Sequence, residues 1–237
     1  MSPFIIICAS LGYAAESVFG FGGSIITFLL LTQNIPAKEA VSMLPVFALV
    51  GSLFIVLSDH KSVKWKAIGR ICLFAIPGLI LGTLFMGEVP ELTLKVFILA
   101  IILIYGVNLI IGKDPSVPNR LRKPLYVIAG FVIGATSLGV FFIPIIGSEL
   151  GKQRSFRASL GFLWTITAIF RIPLYLANGV LTSEGMRTSL MAAPFLLGAI
   201  LIGYFIHRLI PESHYKRYVG AAIFLTAAVN IVRTLFV

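Results

Sequence analysis

The sequence is poor in charge. Only 12% of its 237 residues are Asp, Glu, Lys or Arg, against about a quarter in soluble domains. So few charges cannot cover a 25.7 kDa water-soluble globule, which sets aside a cytosolic enzyme, a secreted domain and a nucleic-acid binder. Cysteine is also scarce. Cys8 and Cys72 both lie in apolar runs, so neither a disulfide scaffold nor a zinc site is expected. The histidines His60, His207 and His214 lie in or beside loops without ligand spacing. There is no paired-carboxylate site, no HExxH and no Gly-Lys-Ser/Thr phosphate loop. No catalytic residue, metal or cofactor is therefore expected, and an ATP-driven pump is set aside. No basic stretch precedes the apolar start at Phe4, so no cleavable signal is expected.

Apolar residues are abundant: 58% of the chain, with a mean hydropathy of +1.02. They fall in long runs, which predicts membrane-spanning α-helices rather than the short alternating strands of a barrel. The net charge of +10 then points to basic cytoplasmic loops and an anionic substrate rather than to nucleic acid.

Six segments have spanning length: 40–58, 65–86, 92–111, 155–177, 185–206 and 218–237. Two more are interrupted. Segment 4–32 is broken by Gly20-Phe21-Gly22-Gly23, and segment 124–147 by Ala135-Thr136-Ser137-Leu138-Gly139. Each glycine inside a helix costs roughly 1 kcal/mol relative to alanine, so three within four residues predict a break. Close helix packing against the small residues is the alternative for both.

The chain reads as a duplication. Arg70 and Pro77 return as Arg187 and Pro194, and Glu39-Ala40-Val41-Ser42 resembles Arg157-Ala158-Ser159-Leu160. Val89-Pro90-Glu91 returns as Ile210-Pro211-Glu212, and Val107-Asn108-Leu109 as Val229-Asn230-Ile231. The order is kept at offsets of 117 to 122 residues. Residues 1–113 form the first membrane repeat and 114–237 the second, together one transporter domain.

Charge suggests how the repeats lie. If all eight segments span, loop Lys and Arg divide eight to nine, with no sidedness. If the two interrupted segments are re-entrant hairpins, the division becomes thirteen to four. The thirteen fall in loops 59–66, 112–124, 148–157 and 207–217, which would be cytoplasmic. Each half then has one glycine-broken segment, re-entrant or discontinuous, and three transmembrane helices. Three being odd, the halves are inverted, a recurrent transporter plan.

An ionised side chain within the membrane is costly unless paired or wetted. Glu16 lies four residues before Gly20 and is the candidate proton carrier, unless it reaches interfacial water near a helix end. Arg171 lies inside a span, two residues before Pro173. It is a candidate oxyanion clamp, unless it snorkels to the nearby end at Asn178. Arg70 and Arg157 read as interfacial anchors. A half-helix starting at Gly22–Ser24 would aim free N–H groups at an anion. The candidate substrate-binding residues are thus Gly20, Gly22, Gly23 and Ser24 in the first half and Thr136, Ser137 and Gly139 in the second, with Arg171.

The sequence resembles the TauE/SafE family of sulfite and organosulfonate exporter-like membrane permeases. The resemblance rests on Gly20-Phe21-Gly22-Gly23-Ser24, Ile35-Pro36-Ala37-Lys38-Glu39-Ala40-Val41, and Val63-Lys64-Trp65-Lys66 before a span with Pro77-Gly78 and Gly82. In the second half it rests on Arg157-Ala158-Ser159, Phe170-Arg171-Ile172-Pro173-Leu174-Tyr175 with Asn178-Gly179, and Pro194 with Gly198. It departs where the first break ends Gly-Gly-Ser rather than in three glycines, and where the second lacks extra glycines. The resemblance implies a multi-pass transporter of the plasma (bacterial inner) membrane for anions such as sulfite or sulfonates. The expected activity is secondary transport of a small oxyanion, carboxylates included, by alternating access with proton or potential coupling. The alternatives are an anion channel and a non-transporting membrane partner or assembly protein. The expected partners are the small anion and the lipid bilayer, with a homodimer among the assemblies the sequence allows.

Overall fold

In the computed structural model, residues 3–19, 22–111, 117–150, 153–207 and 215–236 are described. Among them all regular elements are helices: α1 (Pro3–Phe19), α2 (Gly23–Leu31), α3 (Ala37–Asp59), α4 (Trp65–Glu88), α5 (Glu91–Ile111), α6 (Asn119–Thr136), α7 (Phe142–Leu150), α8 (Gln153–Ala177), α9 (Ser183–His207) and α10 (Tyr215–Phe236), with one 3₁₀ turn at His60–Ser62. Five described helical stretches are long and apolar enough to span: Ala37–Leu57, Trp65–Glu88, Glu91–Ile111, Ser155–Ala177 and Ser183–Gly203. In α10, the sixth expected span, the described apolar stretch is the shorter Ile223–Thr234. The outer surface is apolar, with Leu57, Leu73, Ile104 and Phe205 largely exposed. Such a continuous apolar surface suits lipid and not water. The chain is a multi-pass membrane protein.

Local chemistry sets the helix ends. Pro36 precedes α3, and the N–H groups of Ala37 and Lys38 donate to the Glu91 carboxylate at the start of α5. An acid at a helix N-terminus satisfies donors that have no partner within the helix. Lys38 Nζ reaches the Gly87 carbonyl at 2.9 Å, fastening the same end.

Helices α4 and α6 pack backbone to backbone. Gly78 and Gly82 lie against the Val127 and Phe131 carbonyls, and Gly130 and Gly134 against those of Ala75 and Leu79. Both pairs step four residues in the same direction, so the two helices run parallel. A side chain at any of the four glycines would drive them apart. The segment before α4 meets the start of α8, where the Lys64 N–H donates to Ser159 Oγ at 3.0 Å. The first turns of α4, α6 and α8 therefore lie toward one end of the bundle.

The other main pairings are α1 with α9, α5 with α10, α3 with α8, α1 with α2, α3 with α9, and α4 with α8. Helices α2 and α7, nine residues each, are too short to cross a membrane.

Candidate functional site

The two short helices begin where the sequence is interrupted. Helix α1 ends at Phe19, and α2 begins at Gly23 after Gly22, whose φ is 92°. That left-handed conformation suits glycine, and no atom lies within 4 Å of where a Cβ would stand. The demand at Gly22 is thus conformational and not a matter of packing. Gly23 is different. Its missing side chain makes room for Glu16, whose carboxylate lies against it and accepts from the backbone N–H groups of Gly23 and Ser24. A carboxylate from α1 thus occupies the N-terminus of α2, where free donors and the helix dipole favour negative charge.

The second interruption has the opposite polarity. Helix α6 ends at Thr136, and Ser137 follows with φ 59°. Thr136 Oγ1 donates to the Val132 carbonyl at 2.7 Å and accepts the Leu138 N–H at 3.2 Å. The last carbonyls of a helix lack partners within it; here the Ser137 N–H donates to the Ile133 carbonyl at 2.9 Å, and α8 supplies further donors. Arg171 Nη1 donates to the Ile133 carbonyl at 3.3 Å, and the Tyr175 hydroxyl to the Gly134 carbonyl at 2.6 Å. Arg171 Nε bonds the Thr167 carbonyl of its own helix at 3.1 Å. Ser137 Oγ donates to the Val41 carbonyl at 2.9 Å, tying the tip to α3. Arg171 is only 2% exposed. It turns inward to the end of α6 and does not snorkel toward Asn178.

Glu16, Gly22, Ser24, Ser137, Gly139 and Arg171 line one cavity of about 40 Å³. Trp164 closes it from α8, seated in the space that a side chain at Gly139 would occupy. Gly23 stands behind Glu16, and Thr136 caps its own helix; neither is among the residues lining the cavity. Gly20 lies outside the described residues, as do Lys113, Lys152, Arg208 and His214. A second cavity of about 50 Å³ also reaches Glu16 and is lined by Tyr13, Ser17, Asp59 and Arg157. Glu16 therefore borders both spaces. Arg157, expected to be an interfacial anchor, lines the second.

Three aromatic residues complete the arrangement. The Tyr13 hydroxyl lies 3.3 Å from Ser24 Oγ and from the Leu44 carbonyl. Tyr175 sits one helical turn beyond Arg171, and Trp164 two turns before it. That spacing puts Trp164, Arg171 and Tyr175 on one face of α8.

Among the described residues no group of three or more His, Cys, Asp or Glu could hold a metal ion. The geometry supplies backbone N–H groups, hydroxyls and one guanidinium around a small space, a donor set suited to an oxyanion. Comparison with curated proteins and with solved structures finds no match. A family model described as "Sulfite exporter TauE/SafE" matches residues 5–230, nearly the whole chain, and the chain belongs to this family of membrane transporters.

Proposed function

We propose that this protein is a secondary transporter of a small oxyanion, such as sulfite, a small organosulfonate or a carboxylate, working by alternating access in a bacterial inner membrane. The observation that carries the reading is that Glu16, the α2 tip, the α6 tip and Arg171 border one buried cavity. A water needs at least about 10–15 Å³ of such space. A cavity of about 40 Å³ thus suits an anion the size of sulfite.

Glu16 is the coupling residue. Its carboxylate holds the seat that an anion would take on the Gly23 and Ser24 N–H groups. An incoming anion displaces it, and a carboxylate displaced from its donors and set beside a second anion takes up a proton more readily. Anion and proton binding therefore favour each other. With Arg171 charged and Glu16 neutral, a monovalent anion balances the site. The cavity that reaches Asp59 and Arg157 is the access route from that end.

Two features support inverted repeats. The packing is unchanged in kind when the halves are exchanged: α1 on α9 corresponds to α6 on α4, and α3 on α9 to α8 on α4, while α5–α10 and α3–α8 map onto themselves. The Lys64–Ser159 bond also brings the start of α8 to the end where α4 and α6 begin, as a re-entrant α6–α7 hairpin requires. Single cysteines at Ser62, Ser116 and Gln153, in a chain lacking Cys8 and Cys72, test this. All three label from the cytoplasm; Ser116 and Gln153 labelling from opposite faces would make the second hairpin a full span.

Transport itself is tested in proteoliposomes. A saturable anion flux with counterflow, driven by a proton gradient or membrane potential, is expected. High conductance that ignores a counter-gradient would make the protein a channel.

A further inference from the structure

A cleft much larger than the cavity at Glu16 lies away from it and shares no lining residue with it. Its volume is about 920 Å³, and it opens between the first turns of α4 and α6. Five of its lining residues are cations: Lys64, Lys66 and Arg70 on the α4 side, and Arg122 and Lys123 on α6. Among the described residues no acidic side chain lines it. The close backbone packing that begins at Ala75 and Val127 stops short of these turns. The parallel helices leave a cleft there at the end of the bundle, where a spanning helix meets the headgroup layer. Trp65, at its rim, is 53% exposed, a placement typical of the membrane interface. Further along the same two helices the surface is apolar, with Leu73 and Ile128 turned outward.

We propose that this cleft binds the phosphate headgroup of an anionic phospholipid, with its acyl chains along the exposed apolar faces of α4 and α6. Five basic side chains around one cleft offer several charge-assisted donors to a multivalent phosphate oxyanion. The substrate cavity, with one guanidinium and its own carboxylate, has a different balance. A free phosphate would satisfy the cations but leave the exposed apolar faces of α4 and α6 unused, so the site is assigned to the lipid. A basic pocket between transmembrane helices at the membrane surface suits such headgroups. The inference requires only that the chain spans a membrane, and it stands whether or not the transport reading holds.

The test compares nanodiscs of phosphatidylcholine with nanodiscs containing phosphatidylglycerol, reading thermal stability and the lipid retained on the protein by native mass spectrometry. Phosphatidylglycerol is retained selectively and raises the melting temperature. Each basic residue near an anionic surface contributes about fivefold in affinity. The triple variant Arg70→Gln, Arg122→Gln, Lys123→Gln therefore retains phosphatidylglycerol about a hundredfold more weakly. The charge-keeping variant Arg70→Lys, Arg122→Lys, Lys123→Arg retains it, which separates binding from folding. Lys95→Gln, Arg187→Gln serves as a control outside the cleft and leaves retention unchanged. Equal retention by the neutral triple variant overturns the proposal. So does stabilisation by inorganic phosphate matching that by phosphatidylglycerol, which would mark a site for free anions.

Discussion

The two interruptions share a backbone plan and differ in the charge they hold. At the first, a helix begins, its N–H groups are exposed, and the carboxylate of Glu16 fills them. At the second, a helix ends, its carbonyls are exposed, and Arg171 and Tyr175 fill them. The difference is one of exchangeability. A substrate anion can replace a carboxylate on N–H donors but cannot replace a guanidinium on carbonyls. In the proposed mechanism the first tip is therefore the half of the site that opens and closes, and the second is the fixed half.

The largest effect is expected at the fixed half. Arg171→Lys keeps the charge but loses the planar fork that holds two oxygens at once. Charge-assisted hydrogen bonds contribute roughly 1.5–3 kcal/mol each, and a loss of about 1.4 kcal/mol is tenfold. Anion affinity should fall tenfold or more in a protein that still inserts. Binding of methanesulfonate, with thermal stability beside it, decides the matter. Lower stability with unchanged affinity would make Arg171 only the fastener between α8 and α6.

At the exchangeable half the expected effect is on pH dependence. In the wild type, lowering the pH protonates Glu16 and frees the donors, so anion affinity rises as pH falls through the titration of this group. Glu16→Gln removes that slope and abolishes proton-driven accumulation while leaving counterflow exchange. A slope that survives the substitution would remove Glu16 from the mechanism.

The smallest effects separate the tips by packing. A Cβ at Gly23 would strike the Glu16 carboxylate, and one at Gly139 the Trp164 ring. Overpacking of this kind costs about 1–3 kcal/mol, so Gly23→Ala and Gly139→Ala should each lower the melting temperature by several degrees. Only Gly23→Ala should also flatten the pH dependence of binding, because only it dislodges the carboxylate. The same pH response in both variants would erase the distinction between the halves.

Much of the candidate site was legible because the membrane makes charge rare. Glu16 and Arg171 stood out as ionisable groups inside apolar runs, and the cost of three glycines in four residues drew attention to 20–23. The start of α6 was less legible. It reaches back to Asn119 because its first turn is basic and faces the open cleft, so hydropathy places the segment several residues late. Trp164, Tyr13 and Tyr175 were not legible as site residues, because an aromatic in an apolar run reads as core until its partners are known. The contact of Glu16 with Gly23 and Ser24 was also beyond the sequence. It crosses the interruption between α1 and α2, where no helical spacing predicts which groups meet. Thr136 looked like a ligand because hydroxyls at a break suit anions, but its own backbone takes that hydroxyl.

The claim that an anion takes the seat of Glu16 is tested most directly by counting protons. Calorimetric titration of the purified protein with methanesulfonate, which stays ionised at all working pH values, is carried out in buffers of different ionisation enthalpy. At a pH between the titration of Glu16 in the free protein and in the complex, binding is accompanied by net proton uptake approaching one per anion in the wild type and by none in Glu16→Gln. Equal proton uptake by the two proteins, or none by either, would contradict the account.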